Sequence, residues 1–473
     1  MASTMTAPAL KQSFQARFQR GPSVIFRAPG RANIIGEHVD YSSPFQRVHE
    51  DGHNYSMPFA LPFGVCVAAA RTQGNLVTVR SANFGNSVKF NPNNLPSEPS
   101  GRSWENYVYG VFEAAKQAGL PITGGLDMEI SGDVPIGAGI SSSAALTVAQ
   151  CLALNRLFSW NAEKTTIAKL AQAAEHSRFV RTKCGLLDQT ASLFSQDGKA
   201  ILIDYGDMAD IKTVDLSPLT SRGYKFLLVN SGVERLLGGT YYNDRRSELE
   251  YAGRVMAAAI DPQRQYVSQY DLFDLAKLGS GFFGHVRADE LPPHMQGMPE
   301  QQAAETIYKR AKFVLEEKTR TLRFFDVLGG RTEAAEQNIP ELCCQIINSC
   351  GAGLSNEGDF QISATVLRDQ SGEVTEERYY MDHLRGALGW EIQESAQYKK
   401  NPRFIGIRLM GGGGGVNLIA LLPNEYDTPV LRRRVAAAYS TAQKEAGYGT
   451  NYQVEYYEAM PSAGAGEMVG YLK

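Results

Sequence analysis

The richest chemistry in this 473-residue sequence lies in Asp133-Val-Pro-Ile-Gly-Ala-Gly-Ile-Ser-Ser-Ser-Ala-Ala145, where two glycines and three serines precede an apolar run. Gly137 and Gly139 let the backbone approach a ligand closely, and Ser141, Ser142 and Ser143 bring N–H groups and hydroxyls to a helix start. Such a helix end carries roughly half a unit of positive charge and unpaired donors, a setting that suits phosphate. No Gly-Lys-Ser/Thr follows, so the loop is not of the Walker kind; a capped helix after a turn is the plain alternative.

A second cluster, Gly30-Arg31-Ala-Asn33-Ile-Ile-Gly36-Glu37-His38-Val-Asp40-Tyr41, packs an arginine and several polar acceptors into one loop after a strand. A polyol needs such a ring of hydrogen-bonding groups on rigid backbone, although a solvated loop has the same composition. Two further carboxylates, Glu175 and Asp188, stand among alanines and leucines, where burial without partners is costly. Spacing alone also permits a surface glutamate and a helix-capping aspartate there. His49-Glu50-Asp51-Gly52-His53 matches H-E-x-x-H formally, but that zinc chemistry needs both histidines on one helix face and Asp-Gly breaks helices. A solvated loop is the expectation. Gly411 to Gly415 is followed by a strand rather than a helix, which argues against a dinucleotide fingerprint.

The elements that position these groups follow from periodicity. Val24 to Ala28 reads as a strand that Pro29-Gly30 ends, and residues 1 to about 20 as a poorly ordered tail or a peripheral helix. Gly64 to Arg71 and Leu76 to Arg80 read as strands in a hairpin-like arrangement, and Met128 to Ile130 closes another strand before the serine loop. Leu146, Ala149, Leu152, Ala153 and Leu157 share one helical face from about Ser142. A second helix is expected over Thr165 to Val180, with strands at Ala200–Asp204, Lys225–Asn230, Phe404–Met410, Val416–Leu422 and, last, Tyr452–Met460. The stretch from about 240 to 400 is more helical and more charged. Mixed elements of this kind indicate an α/β or α+β class.

Length argues for two domains or lobes. Net charge is −3, from 47 basic and 50 acidic residues, which disfavours nucleic acid or an anionic membrane as the main partner. No apolar run reaches the ~18 residues of a membrane helix, and the N-terminus lacks a basic-then-apolar signal pattern. The six cysteines form no C-x-x-C pair and sit mostly in apolar stretches, so reduced, buried thiols in a cytoplasmic protein are expected.

Three ordered segments carry a family resemblance. Pro135-x-Gly137-x-Gly139-Ile140-Ser141-Ser142-Ser143-Ala144 resembles the second signature of the GHMP kinases, and Gly411–Gly415 after Phe404-Ile-Gly-Ile-Arg-Leu-Met resembles their third. Gly30 to Tyr41 is similar to the first signature of the galactokinase family, G-R-x-N-x-I-G-E-H-x-D-Y. The resemblance implies an α+β, two-lobed GHMP kinase fold with the active site in the cleft between lobes spanning 21–220 and 221–473, after a tail at 1–20. It implies ATP and a sugar as small-molecule partners, Mg²⁺ as cofactor, and phosphoryl transfer to the anomeric hydroxyl of galactose by a monomer. Gly137, Gly139, Ser141, Ser142 and Ser143 would wrap the ATP phosphates, with Ser143 and Glu175 on Mg²⁺. Asp188 would accept the proton of the anomeric hydroxyl beside Arg31; Glu37, His38, Asp40 and Tyr242 would meet the sugar, and Trp104 and Tyr107 the adenine.

The chain departs from the family pattern by an insertion within Ser42–Ser56, by Val180-Arg181-Thr182-Lys183 before Cys184, and by Gly-Gly-Val closing the third signature. The match is thin between about 255 and 400, where Phe313-Val-Leu-Glu-Glu is its best fragment. An insertion so near the sugar motif keeps N-acetylgalactosamine or arabinose open as substrate. A catalytically silent sugar and ATP sensor is the alternative from another class; the intact Ser141 to Ala145 and Asp188 favour an enzyme.

Overall fold

A computed structural model describes residues 6–40, 53–101, 103–135, 137–232, 240–260, 289–331, 335–354, 376–410, 417–446 and 452–471. Its chain forms two compact units, interleaved in sequence. The first comprises Met1–Ala32, Pro58–Ile201 and Pro461–Lys473, the second Asn33–Met57 and Leu202–Met460. Gly411–Gly415 and most of the insertion lie outside the described residues.

In the first unit a six-stranded sheet has the order β13-β1-β3-β6-β4-β5. Its strands are β1 (Val24–Asn33), β3 (Pro58–Arg71), β4 (Val77–Ser81), β5 (Ser87–Phe90), β6 (Leu126–Gly132) and β13 (Gly466–Glu467). The N-terminal segment is a helix, α1 (Ala7–Phe18), whose Leu10 and Phe14 are fully buried against Ile25, Cys66, Ala68 and Ala70. Helices α2 (Glu105–Gln117), α3 (Ser142–Leu157), α4 (Lys164–His176) and α5 (Leu187–Phe194) pack on one another, and α3 and α5 cover β3.

Three sequence expectations are corrected. First, β1 does not stop at Pro29-Gly30 but runs on to Asn33. Its ladder with β13 covers only Phe26 and Arg27, so the N–H that Pro29 lacks leaves no gap in that pairing. Second, β3 and β4 are not a hairpin. β6 inserts between them, antiparallel to β3 from Val65↔Gly132 to Arg71↔Leu126 and parallel to β4. Third, α4 ends at His176 rather than near Val180, because the Ser177 carbonyl accepts the amides of Val180 and Arg181 and Arg181 turns left-handed (φ 61°).

Close approach of α2 to α4 depends on Gly110. A Cβ there would stand 2.4 Å from the Ala174 carbonyl oxygen and 2.8 Å from Ser177 Oγ. Alanine normally gains about 1 kcal/mol over glycine in a helix, but overpacking against rigid backbone costs about 1–3 kcal/mol. Gly110→Ala is therefore expected to lower the thermal midpoint; a raised midpoint would contradict this helix contact.

The second unit holds a four-stranded antiparallel sheet, β10 (Gly406–Met410), β11 (Asn417–Pro423), β9 (Tyr224–Asn230) and β12 (Glu455–Glu458), in the order β10-β11-β9-β12. A smaller sheet joins β2 (Tyr55–Ser56), β7 (Lys199–Asp204) and β8 (Lys212–Asp215). β12 is shorter than the expected Tyr452–Met460, and β13 follows it. Long helices include α7 (Thr240–Ile260), α8 (Glu300–Leu328), α9 (Ala335–Ala352), α10 (Glu376–Gln393) and α12 (Pro429–Ala446); two one-turn helices are α6 (Ser217–Thr220) and α11 (Ala396–Lys400). Leu384, Leu388 and Ile392 of α10 join Val435 and Tyr439 of α12 over Leu227, Val229, Leu409 and Leu418 of the sheet. α7 is tied to α8 by a buried ion pair, Arg310 Nε to Glu248 Oε2 at 2.6 Å.

Candidate active site

Within the first unit the chain leaves β6 and reaches α3 through a loop with three left-handed residues, Gly137 (φ 76°), Gly139 (66°) and Ser141 (63°). A left-handed non-glycine residue is strained, and Ser141 makes no capping bond to the helix it precedes. Its hydroxyl instead donates to Asp188 Oδ2. Ser141 therefore does not cap α3 through its side chain, which is aimed at a carboxylate instead. Ser142 and Ser143 follow as the first two residues of α3, both half-buried.

Arg31, near the end of β1 and 6% exposed, joins the same cluster. Its Nε donates to Asp188 Oδ1 at 2.7 Å, its Nη1 to the Gly139 carbonyl at 3.0 Å, and its own amide to the Ile140 carbonyl at 3.1 Å. One side chain thus fixes both the loop and the carboxylate. Asp188 stands in the first turn of α5, with its side chain partly exposed.

Glu175, in the last turn of α4, is 3% exposed and accepts from Gln189 Nε2 at 2.8 Å and from Ser143. Burial, then the charge of Asp188, pushes its carboxyl up to about 7 against the opposing bonds of Ser143 and Gln189 and the charge of Arg31. Arg31, Ser141, Ser143, Glu175 and Asp188 are thus brought together, with Gln189 as a member the sequence reading missed. Its signal was only its place next to Asp188.

Trp104 and Tyr107 open α2, which packs on α4 and α3; Trp104 is half-buried and donates to Asn86 Oδ1 at 3.0 Å.

Within the second unit Glu37 and His38 are buried and Asp40 is half-buried. Gly36 has φ 91°, and a Cβ on it would lie 2.4 Å from the Ser56 Cα, so the turn admits no side chain. His38 is left-handed too (φ 59°), a strained backbone at a candidate ligand. Arg408 of β10, fully buried, pairs with Glu37 Oε1 at 2.8 Å. Glu317 of α8 accepts the Gly36 and Glu37 amides. Neither partner was foreseen, although an arginine inside the apolar Phe404–Met410 run was an available signal. Tyr242 falls in the first turn of α7, and its side chain lies outside the described residues.

His49 and Glu50 lie outside the described residues, while His53 binds Asp204 through Nδ1 at 2.6 Å. Among the described residues no group of three or more His, Cys, Asp or Glu could hold a metal ion. The described helices include none long and apolar enough to cross a membrane, and all six cysteines are free thiols.

Residues 106–196, which contain the serine loop, Glu175 and Asp188, match the GHMP kinases N terminal domain, and the fold and site define a kinase of that class. Residues 12–46 match the galactokinase galactose-binding signature. The galactokinase of Roseiflexus sp. (strain RS-1) is 34% identical over 314 residues, covering 66% of this chain and 70% of the relative. That of Actinobacillus pleuropneumoniae is 29% identical over 413 residues, covering 87% and 88%. The crystal structure of Lactococcus lactis galactokinase complexed with galactose shares the fold, with a TM-score of 0.69 at 24% identity over 97% of this chain and 98% of that one. The chain belongs to the galactokinase family and is an ATP-dependent sugar kinase.

Proposed function

We propose that this chain transfers the γ-phosphoryl group of ATP to the anomeric hydroxyl of galactose. The observation that carries the reading is the Arg31–Asp188–Ser141 cluster, set beside Ser143 and a buried Glu175 in one unit. Each Asp188 oxygen already accepts one bond, and a carboxylate has about four acceptor positions, so a substrate hydroxyl can still donate to it. Asp188 takes the hydroxyl proton, and Arg31 offsets charge on the transferring group. The backbone at Gly137 and Gly139 and the start of α3 receive the phosphates. Trp104 and Tyr107 flank the adenine, while Glu37, His38, Asp40 and Tyr242 take sugar hydroxyls.

The residues present fit Mg²⁺. A buried carboxylate whose proton is held to about 7 by burial and a second carboxylate is relieved by a cation, and the Ser143 hydroxyl adds a hard oxygen. Mg²⁺ is commonly bound by one or two protein oxygens plus substrate phosphates, which matches Ser143 and Glu175. When bound it neutralises charge on the phosphate oxygens. The free thiols suit a reducing cytoplasm.

The test is ADP release with Mg·ATP over galactose, N-acetylgalactosamine, arabinose and glucose. Turnover greatest on galactose is expected. Turnover confined to another sugar would replace the substrate and keep the chemistry, and silence across the panel would make the chain a sensor.

A further inference from the structure

Glu317 lies far along the chain from the Asn33–His38 turn, yet it is buried against it within the second unit. Its Oε1 accepts the Gly36 amide at 2.8 Å, the Glu37 amide at 3.2 Å and the Cys350 thiol at 3.0 Å, and its Oε2 accepts Arg320 Nε at 2.7 Å. Arg408 grips the same turn from its other end, donating to the carbonyls of Asn33 at 2.7 Å and Ile34 at 2.9 Å while pairing with Glu37. Glu317 and Arg408 thus hold from two ends a turn whose Gly36 and His38 are both left-handed, with Arg320 paired to Glu317 and Glu37 to Arg408.

A buried ionic network is a weak source of net stability compared with apolar packing, so its presence calls for another account. Here Glu317 fixes backbone amides and Arg408 backbone carbonyls, while Arg320 and Glu37 balance their charges. We infer that Glu317 is a positioning residue for sugar recognition, setting the orientation of Glu37 and His38 by clamping the Gly36 and Glu37 amides. The inference rests on the reading that this turn takes the sugar hydroxyls. A carboxylate is required because two convergent amides need one acceptor oxygen while an arginine occupies the other. Burial alone would push the Glu317 carboxyl up, but Arg320, the Cys350 thiol and Arg408 hold it below the usual carboxylate range. Burial in turn pushes the Cys350 thiol up, so it faces Glu317 as a donor.

The test compares full-length wild type, Glu317→Gln, Glu37→Ala and the double variant with Mg·ATP and the sugar of highest turnover. Glutamine must turn its amide either toward Arg320 or toward the loop amides, donor against donor. The expected result is a sugar KM raised about tenfold, with kcat and the ATP KM changed less than about threefold. The double variant should lose less than the sum of the two single losses, since Glu317 acts partly through Glu37 and partly through His38. An unchanged sugar KM in Glu317→Gln, with a raised one in Glu37→Ala, overturns the positioning role and leaves the proposed function standing. Equal losses in kcat and both KM values, additive with Glu37→Ala, overturn it in favour of a merely structural role. An unchanged sugar KM in Glu37→Ala removes the reading beneath it. Should Glu317→Gln not fold, Arg320→Lys, which keeps the charge but loses the Nε bond to Oε2, is judged by the same KM split.

Discussion

Asp188→Asn is expected to lower kcat on the order of 10²- to 10⁴-fold while leaving ATP affinity within about threefold. The asparagine keeps the shape of the side chain and one acceptor oxygen. It loses the charge, and it must turn its amide toward either Arg31 Nε or Ser141 Oγ, both of which donate to the wild-type carboxylate. Phosphoryl transfer draws mainly on positioning and electrostatics, with a loose transition state in which proton removal is late. A loss near the small end of the range would therefore mark Asp188 as an orienting group, and one near the large end as the proton acceptor. Single-turnover kinetics with a parallel ATP titration separate the two quantities. Activity within a few-fold of wild type would remove Asp188 from the reaction.

The second large effect is on stability. Arg408→Met should lower the denaturant midpoint by an amount corresponding to about 3–5 kcal/mol, a large share of the 5–15 kcal/mol that typically holds a domain. Arg408 is fully buried, pairs with Glu37 and donates to the carbonyls of Asn33, Ile34 and Leu409. Methionine fills much of the volume but leaves the Glu37 charge unpaired and three acceptors without their donor. Adding Glu37→Gln to Arg408→Met should recover part of the loss, because the stranded charge goes with it. A midpoint equal to wild type in the single variant would mean that Arg408 does not carry the ionic load of this turn.

Much of the candidate site was legible in local sequence because each of the two proposed binding loops is built from a few consecutive residues. Gly137, Gly139 and Ser141 to Ser143 form one short stretch at the start of α3, and Gly36 had to be glycine where the backbone is left-handed against Ser56. Helix α3 was likewise expected from about Ser142, but its buried face was not: Leu146, Leu152 and Leu157 are half-buried while Val148, Cys151 and Leu154 are buried, because the helix packs against β3 and several other helices. Pairing did not follow so simply: β4 hydrogen-bonds with β6 rather than β3, since a strand offers two edges and local pattern names neither neighbour.

What the sequence by itself determined was therefore the family, the candidate groups and the loops that carry them. What only the tertiary structure decided was which charges meet. That Arg31 and Ser141 converge on Asp188, that Gln189 and Ser143 converge on Glu175, and that Arg408 and Glu317 clamp the turn at Gly36 are outcomes of packing between elements far apart in the chain. The physical reason is that a buried charge must find a partner somewhere, but its own neighbours in sequence carry no record of where that partner lies.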